Sequence, residues 1–389
     1  MKELELYVHI PFCEKKCNYC DFLSAPADEK SQSAYMEGLN REIAYYGKKL
    51  KGWELRTIYI GGGTPSVLPE WYMEHLMQEI YTNFPVDSRA EITIECNPGT
   101  LNRQKLECYK KAGINRLSMG LQSADNEELK ILGRIHTYEQ FLENYQTARD
   151  CGFANINIDL MNSLPKQTLE GAYQSVMKAL KLKPEHISSY SLMIEKGTPF
   201  YDRYKFDLVR QEAGIETEEL PSEDTAYQIG KMTQDLLAEH GYLQYEISNY
   251  AAKGFQCRHN IGYWQRKNYL GVGLGAASLM EEVRYSNQRN LLKYIKLSQF
   301  SCSELVEETQ KISREACMEE FMFLGLRMTE GILKGQFYTK FGVMIEKVYG
   351  TILKKLIRDG LMEETPSRLF LTDLGMDLSN YVLAQFLLE

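Results

Sequence analysis

With 389 residues, 44% of them apolar and 25% charged, the chain has the make-up of a soluble globular protein with room for one large domain and a smaller one. A formal net charge of −8 without a basic stripe argues against a general nucleic-acid binder. No run approaches the ~20 apolar residues that span a bilayer, and Met1–Leu6 carries acids rather than a secretory h-region, so a cytoplasmic protein without a transmembrane segment is expected.

In chain order, the first expected strand is Leu4–Ile10, and it runs directly into Cys13, Cys17 and Cys20. Further strands are expected at Thr57–Ile60, Glu91–Glu95, Arg116–Gln122, Asn155–Met161 and His186–Leu192. Amphipathic stretches lie between them, among them Trp71–Thr82, Arg103–Ala112, Tyr138–Cys151 and Leu169–Leu180. A period that switches repeatedly between 2 and 3.6 marks βα units around a parallel sheet. Six strands are too few for a closed eight-stranded barrel, so the expected fold is α/β, an open partial (β/α)6 barrel. Gly61-Gly62-Gly63-Thr64-Pro65, Glu95-Cys96-Asn97-Pro98 and Gly120-Leu121-Gln122-Ser123 all fall where strands finish, as does Asp159-Leu160-Met161. Strand ends of this kind form the functional face of a parallel barrel.

Beyond Glu195 the pattern changes. Residues 201–245 read as helical, acidic and exposed, and residues 254–280 are rich in glycine and aromatics. Helical runs at Arg314–Thr329 and Phe341–Asp359 precede a polar-tipped hairpin ending in Arg368-Leu369-Phe370-Leu371-Thr372. The order is that of a mainly helical, winged-helix-like C-terminal domain, and the acidic balance favours docking or a lid over nucleic-acid binding. The expected division is residues 1–200 for the barrel, 201–300 for an extension and linker, and 301–389 for the C-terminal domain.

Nine cysteines are too few for a disulfide scaffold, and three of them fall within eight residues. The six others read as core or surface residues. Thiolates spaced C-x3-C-x2-C on one tight loop reach three corners of an iron–sulfur cube. Zinc would need a fourth closing ligand, and none is near in sequence, because His9 sits on the strand and faces core or solvent. A cube held by Cys13, Cys17 and Cys20 leaves one iron open to chelate the amino and carboxylate groups of S-adenosylmethionine. Around it, Glu95 and Asp159 suit ribose hydroxyls or an ammonium. Arg134 suits a carboxylate as a planar fork, Gln122 offers an amide and Tyr7 a hydroxyl. As residue types alone, each is equally open to structural hydrogen bonding.

His9-Ile10-Pro11-Phe12-Cys13 through Tyr19-Cys20-Asp21-Phe22 resembles the radical S-adenosylmethionine (SAM) superfamily. From about residue 4 to the C-terminus, the chain resembles the coproporphyrinogen III dehydrogenase branch, which contains the HemN and HemW proteins. The resemblance implies a [4Fe-4S] cluster on the three cysteines. It also implies S-adenosylmethionine contacts from Tyr7, Tyr19, Gly62, Gly63, Thr64, Glu95, Gln122, Arg134 and Asp159. In the oxidase branch the motif continues as C-x2-C-x-C after an extension of some tens of residues. Here Phe22 stands at that last position and Cys13 lies near the start.

Cys257-Arg258-His259-Asn260-Ile261-Gly262-Tyr263-Trp264 contains H-N-x-x-Y-W, which is similar to the HemW heme-chaperone signature. Imidazole ligates heme iron well, and Tyr263 and Trp264 could stack on a porphyrin. The residues alone favour structural packing, with Cys257 the weaker candidate ligand. The resemblance implies heme contact by His259, Tyr263 and Trp264. The function it implies is a heme carrier serving an unidentified acceptor protein, rather than an enzyme. The alternatives are an oxygen-independent coproporphyrinogen III dehydrogenase or another radical SAM enzyme acting on a small substrate. The glycines of Asn268–Ala276 have the wrong spacing for a dinucleotide loop and are expected to pack closely. Ser191 and Ile194 are expected to border the cofactor cavity.

Overall fold

A computed structural model describes residues 1–388. The barrel strands are β1 (Lys2–Ile10), β2 (Trp53–Gly62), β3 (Val86–Cys96), β4 (Arg116–Gln122), β5 (Ile156–Asn162) and β6 (His186–Ser191). They are joined by α1 (Glu29–Lys49), α2 (Glu70–Asn83), α3 (Arg103–Lys111), α4 (Asn126–Leu132), α5 (Tyr138–Asp150) and α6 (Leu169–Leu180). Neighbouring strands pair in parallel, with Tyr7 opposite Tyr59, Glu95 opposite Ser118 and Asp159 opposite Ser188. The expected open six-stranded barrel is therefore present.

The sheet does not stop at six strands. After α7 (Pro199–Glu212) and α8 (Glu223–Glu239), β7 (Leu243–Glu246) and β8 (Asn249–Ala251) extend it antiparallel beyond β6. Past α9 (Arg258–Trp264), β9 (Tyr269–Val272) pairs in parallel with β1. Then β10 (Ala277–Met280), β11 (Val283–Asn287) and, after α10 (Leu291–Phe300), β12 (Val306–Lys311) follow antiparallel. The result is one sheet of twelve strands. Strand β12, Val-Glu-Glu-Thr-Gln-Lys, is exposed along nearly its whole length, and its charges blunt the free edge against further pairing.

Alternation decides where the core lies. Leu4, Leu6, Val8, Ile58, Ile60, Ile94, Leu117, Met119, Ile156 and Ile158 are fully buried in one core cluster together with residues of the helices, such as Leu39, Leu76 and Phe141. The opposite face carries Glu5, Tyr7, Thr57, Tyr59, Thr93, Glu95, Arg116, Ser118, Asn157 and Asp159. The apolar core therefore surrounds the sheet, and the lumen is polar. A barrel packed only for stability fills its lumen with branched aliphatic layers.

The C-terminal part has its own core, including Met322, Leu326, Phe337, Tyr349, Leu356 and Leu369. Helices α11 (Arg314–Gly325), α12 (Lys334–Phe341) and α13 (Ile345–Arg358) pack with β13 (Ile332–Leu333), β14 (Met362–Glu364) and β15 (Arg368–Leu371), in the sheet order β13-β15-β14. Short helices α14 (Asp373–Asp377) and α15 (Ser379–Ala384) close it. Helices followed by a small hairpin sheet give the winged-helix-like order expected.

Candidate functional site

Strand β1 leaves the barrel through Pro11 and Phe12 into the cysteine loop, and hydrogen bonds set the shape of that loop. Cys13 N donates to Ala25 O (3.3 Å), Ala25 N to Pro11 O (3.0 Å), and Cys20 N to Cys17 O (3.2 Å). Asn18 docks the loop on the end of α4, its backbone N donating to Leu132 O (3.0 Å) and its Nδ2 to Ile131 O (2.9 Å). His9 is buried, with Nδ1 at 3.0 Å from Tyr7 Oη and Nε2 at 3.0 Å from Leu23 O. Burial lowers its pKa, so a neutral imidazole staples the returning loop.

The three thiols are free, partly exposed and on the wall of one cavity of about 520 Å3. Cys96 also reaches this cavity, but it is buried and its thiol donates to Ile94 O at 3.7 Å. No three His, Cys, Asp or Glu side chains among the described residues are spaced for a single metal ion. Three thiols spread around a loop suit a cube, whose corners lie farther apart than the ligands of one ion.

The glycine run sits against this loop for a steric reason. Gly63 N donates to Ile10 O (2.8 Å) and Thr64 N to Phe12 O (2.7 Å). A Cβ on Gly63 would stand 2.5 Å from Phe12 O, and one on Gly62, whose φ is +115°, would collide with the His9 ring. Gly62 N and Tyr59 Oη each donate to the Glu95 carboxylate at 3.0 Å. Burial pushes Glu95 up to about 7, with the Asp159 charge adding to the rise and the Gly62 N–H opposing it. Burial also raises Asp159, against hydrogen bonds from Asn157 and Ser188 and the charges of Arg116 and Arg134. Arg134 donates to Gly120 O (2.7 Å), to Asn97 Oδ1, and at 3.7 Å to Cys17 Sγ. Gln122, at a φ of +69°, ends β4 on the cavity wall.

Tyr19, Gly62, Gly63, Thr64, Glu95, Gln122, Arg134 and Asp159 thus line the same cavity as the three cysteines. Sequence reasoning missed Tyr59, Arg116, Ser118, Asn157, Ser188 and Asn260, which also line it. Arg116, Ser118 and Asn157 were within reach, because they lie an even number of residues from Gln122 or Asp159 on the same strand and hence on the lumen face, whereas Tyr59 and Ser188 lie on other strands.

Four expected contacts are not on this wall. Tyr7 lies mid-strand, its hydroxyl on His9 and its ring 6.4 Å from that of Tyr59. His259 is buried beneath the cavity, with Nδ1 2.7 Å from Thr57 Oγ1, Nε2 3.1 Å from Tyr263 Oη and its ring stacked on Tyr59. Burial, aided by the Arg116 charge, holds it down at about 3 and so neutral. Trp264 points elsewhere, under the Arg327 guanidinium at 4.4 Å. The three residues therefore do not form one porphyrin face in this conformation. On α9, positions i and i+4 share a side and i+5 does not. Cys257 is buried, its thiol 3.5 Å from Glu91. Ser191 and Ile194 line a second cavity beside α7 and α8, which corrects their expected place. The glycines at 271–275 pack closely as expected, Gly273 N donating to the buried Glu42 at 2.9 Å.

The chain matches the Radical SAM superfamily over residues 7–176 and the HemN C-terminal domain over residues 312–378. It is 37% identical to the heme chaperone HemW of Lactococcus lactis, covering 98% of this chain and 97% of that protein. It is 34% identical to the heme chaperone HemW of Escherichia coli, over 99% of this chain and 98% of that one. The chain belongs to the HemW family. Coproporphyrinogen III oxidase HemN from Escherichia coli, 24% identical, shares the fold with a TM-score of 0.85 over 99% of this chain and 90% of that one. In this HemW-family chain no described helix is long and apolar enough to cross a membrane.

Proposed function

We propose that the chain is a cytoplasmic heme chaperone, binding heme and handing it to an acceptor protein, with a [4Fe-4S] cluster and S-adenosylmethionine as its cofactors. One observation carries the reading: in a HemW-family chain, three free thiols of one loop share a cavity with Glu95, Gln122, Arg134 and Asp159. Cys13, Cys17 and Cys20 hold the cluster and leave one iron for the nucleotide. Gly62 and Gly63 let the backbone approach the methionine end, with Thr64 beside it. Arg134 pairs the methionine carboxylate, Glu95 and Asp159 take hydroxyl or ammonium protons, Gln122 adds an amide, and Tyr19 presents backbone to adenine. When bound, cluster and nucleotide together supply one-electron chemistry. The protein's own part is to hold the ligands in a fixed polar lumen. Residues 1–200 form the cofactor core, 201–300 its extension and 301–389 the domain that meets the acceptor.

The relatives' names support heme as the cargo. Heme contact by His259, Tyr263 and Trp264 requires α9 to move, since both nitrogens of His259 are hydrogen-bonded where it now lies. The test is anaerobic reconstitution of the cluster, followed by heme titration of wild type, His259→Ala and Trp264→Ala, with coproporphyrinogen III assayed in the same preparation. Saturable heme binding without decarboxylation is expected. Loss of the shifted Soret band in His259→Ala assigns the axial ligand. Decarboxylation without a stable heme complex overturns the reading in favour of an oxidase.

A further inference from the structure

Arg116, the first residue of β4, is the largest fully buried side chain of the protein, 2% exposed. A guanidinium carries five N–H donors and keeps its proton, so a buried one is ordinarily paired. Here Nε has no hydrogen-bond partner, and among the described residues no carboxylate forms an ion pair with the group. Its acidic neighbours are committed elsewhere. Glu91 accepts from the backbone N–H of Arg258 and His259 at the start of α9, at 3.1 and 3.2 Å. Asp159 accepts from Asn157 Nδ2 at 2.7 Å.

The polar groups around Arg116 satisfy one another. Asn157 Nδ2 donates to Ser118 Oγ at 2.8 Å, and Asn157 Oδ1 is 2.6 Å from His186 Nδ1. Thr93 is the exception. It pairs in register with Arg116 across β3 and β4, is fully buried, and its Oγ1 has no partner. Two donors on adjacent strands of the lumen face therefore lack an acceptor; of the two, Arg116 lines the same cavity as the cluster cysteines and Thr93 does not. Of the other cations of that cavity, Lys15 and Lys16 belong to the cysteine loop, and Arg134 already bonds Gly120, Asn97 and Cys17 toward that loop.

We propose that Arg116 anchors a carboxylate at the inner end of the cavity, and that this carboxylate is a propionate of the tetrapyrrole. The proposal rests on the heme-chaperone reading. Arg134 serves the methionine carboxylate and Lys15 and Lys16 sit on the cysteine loop, so Arg116, the cation on the barrel strands, falls to the second ligand.

The test uses the full-length reconstituted chain as wild type, Arg116→Gln and Arg116→Lys. Each is titrated with heme and heme dimethyl ester, and with S-adenosylmethionine and its decarboxylated analogue. Wild type is expected to prefer heme over the diester by about ten- to hundredfold, the range of a charge-assisted hydrogen-bonded pair. Arg116→Gln closes that gap by weakening heme alone, and Arg116→Lys narrows it. Should Arg116→Gln not fold, Arg116→Lys decides: an unchanged gap overturns the proposal. A wild type without the gap, or a gap that closes in the nucleotide pair instead, also overturns it. A wild type that binds neither heme nor diester defeats the chaperone reading itself, which is a different result from heme bound without regard to its propionates.

Discussion

Gly63→Ala tests the geometry of the site most directly, because the clash it creates is with backbone. The new Cβ would lie 2.5 Å from Phe12 O and 3.0 Å from Ile10 O and Phe12 C. Real Cβ atoms do not approach closer than 3.0 Å, so the chain entering the cysteine loop must retreat by half an ångström or more. The bonds from Gly63 N to Ile10 O and from Thr64 N to Phe12 O lengthen with it. Overpacking of this kind costs about 1–3 kcal/mol of stability. A site constellation tolerates about 0.5 Å of misplacement, and a 1 Å error costs on the order of a hundredfold. S-adenosylmethionine affinity is therefore expected to fall at least about tenfold, by calorimetry on anaerobically reconstituted protein, with iron content per chain reported beside it. Gly350→Ala is the control: it lies in α13 with nothing within 4 Å of its would-be Cβ, and it should gain about 0.5–1 kcal/mol of helix stability. A Gly63→Ala protein with wild-type iron content and nucleotide affinity would refute the close-approach argument.

Three further outcomes follow from the carboxylates Glu95, Glu42 and Glu282, the last of them half-buried. Because burial, with the Asp159 charge, holds Glu95 at about 7, the folded chain keeps a proton that the unfolded chain sheds near 4.5. Stability from this group is full below about pH 4.5 and declines as pH rises toward 7. Nucleotide affinity should rise between about pH 6 and 8 as the carboxylate ionises, and titrations of Glu95→Gln should show a flat profile. Glu42, buried in α1, accepts from Gly273 N (2.9 Å), Asn287 Nδ2 (2.6 Å) and Tyr294 Oη (2.5 Å). Glu42→Ala leaves three buried donors unpaired and should cost about 3 kcal/mol by denaturant unfolding. At the seam with the C-terminal part, burial raises Glu282, but hydrogen bonds from Cys317 and Arg266 outweigh it and hold the carboxyl at about 2. This stabilisation is full above pH 4.5 and is lost as pH falls toward 2. Melting temperature should drop over that window in wild type and less in Glu282→Gln.

Much of the architecture was legible because each barrel strand carries an apolar outer row that alternates with polar lumen residues. Arg116–Gln122 and Leu169–Leu180 are observed with the ends expected of them, and the other barrel strands differ only at their termini. The extension of the sheet was not legible. Strands β7 to β10 are three or four residues long, too short for alternation to register, and β12 is an exposed edge that needs no apolar row. The site divided along the same line. Cys13, Cys17 and Cys20 are local, and Glu95, Gln122 and Asp159 are marked by their place at strand ends. His259, Tyr263 and Trp264 could be found as a motif but not oriented, because a seven-residue helix has no apolar stripe long enough to declare its buried face.

The polar lumen joins these observations. Tyr59 holds Glu95 from one side and stacks on His259 from the other, and His259 is tied to Thr57 and Tyr263. The H-N-x-x-Y-W segment is thereby connected to the nucleotide cavity through a single ring, while Asn260 reaches that cavity itself. A motion of α9 that frees His259 for iron must therefore break its contact with Tyr59, the donor to Glu95. Heme ligation by His259 and nucleotide binding are then coupled, and thermodynamic linkage makes that coupling reciprocal. S-adenosylmethionine should change heme affinity by the same factor by which heme changes S-adenosylmethionine affinity. The coupling should vanish in Tyr59→Phe, which keeps the ring but lacks the hydroxyl bound to Glu95. Independent binding of the two ligands in wild type would show that α9 does not move when heme binds.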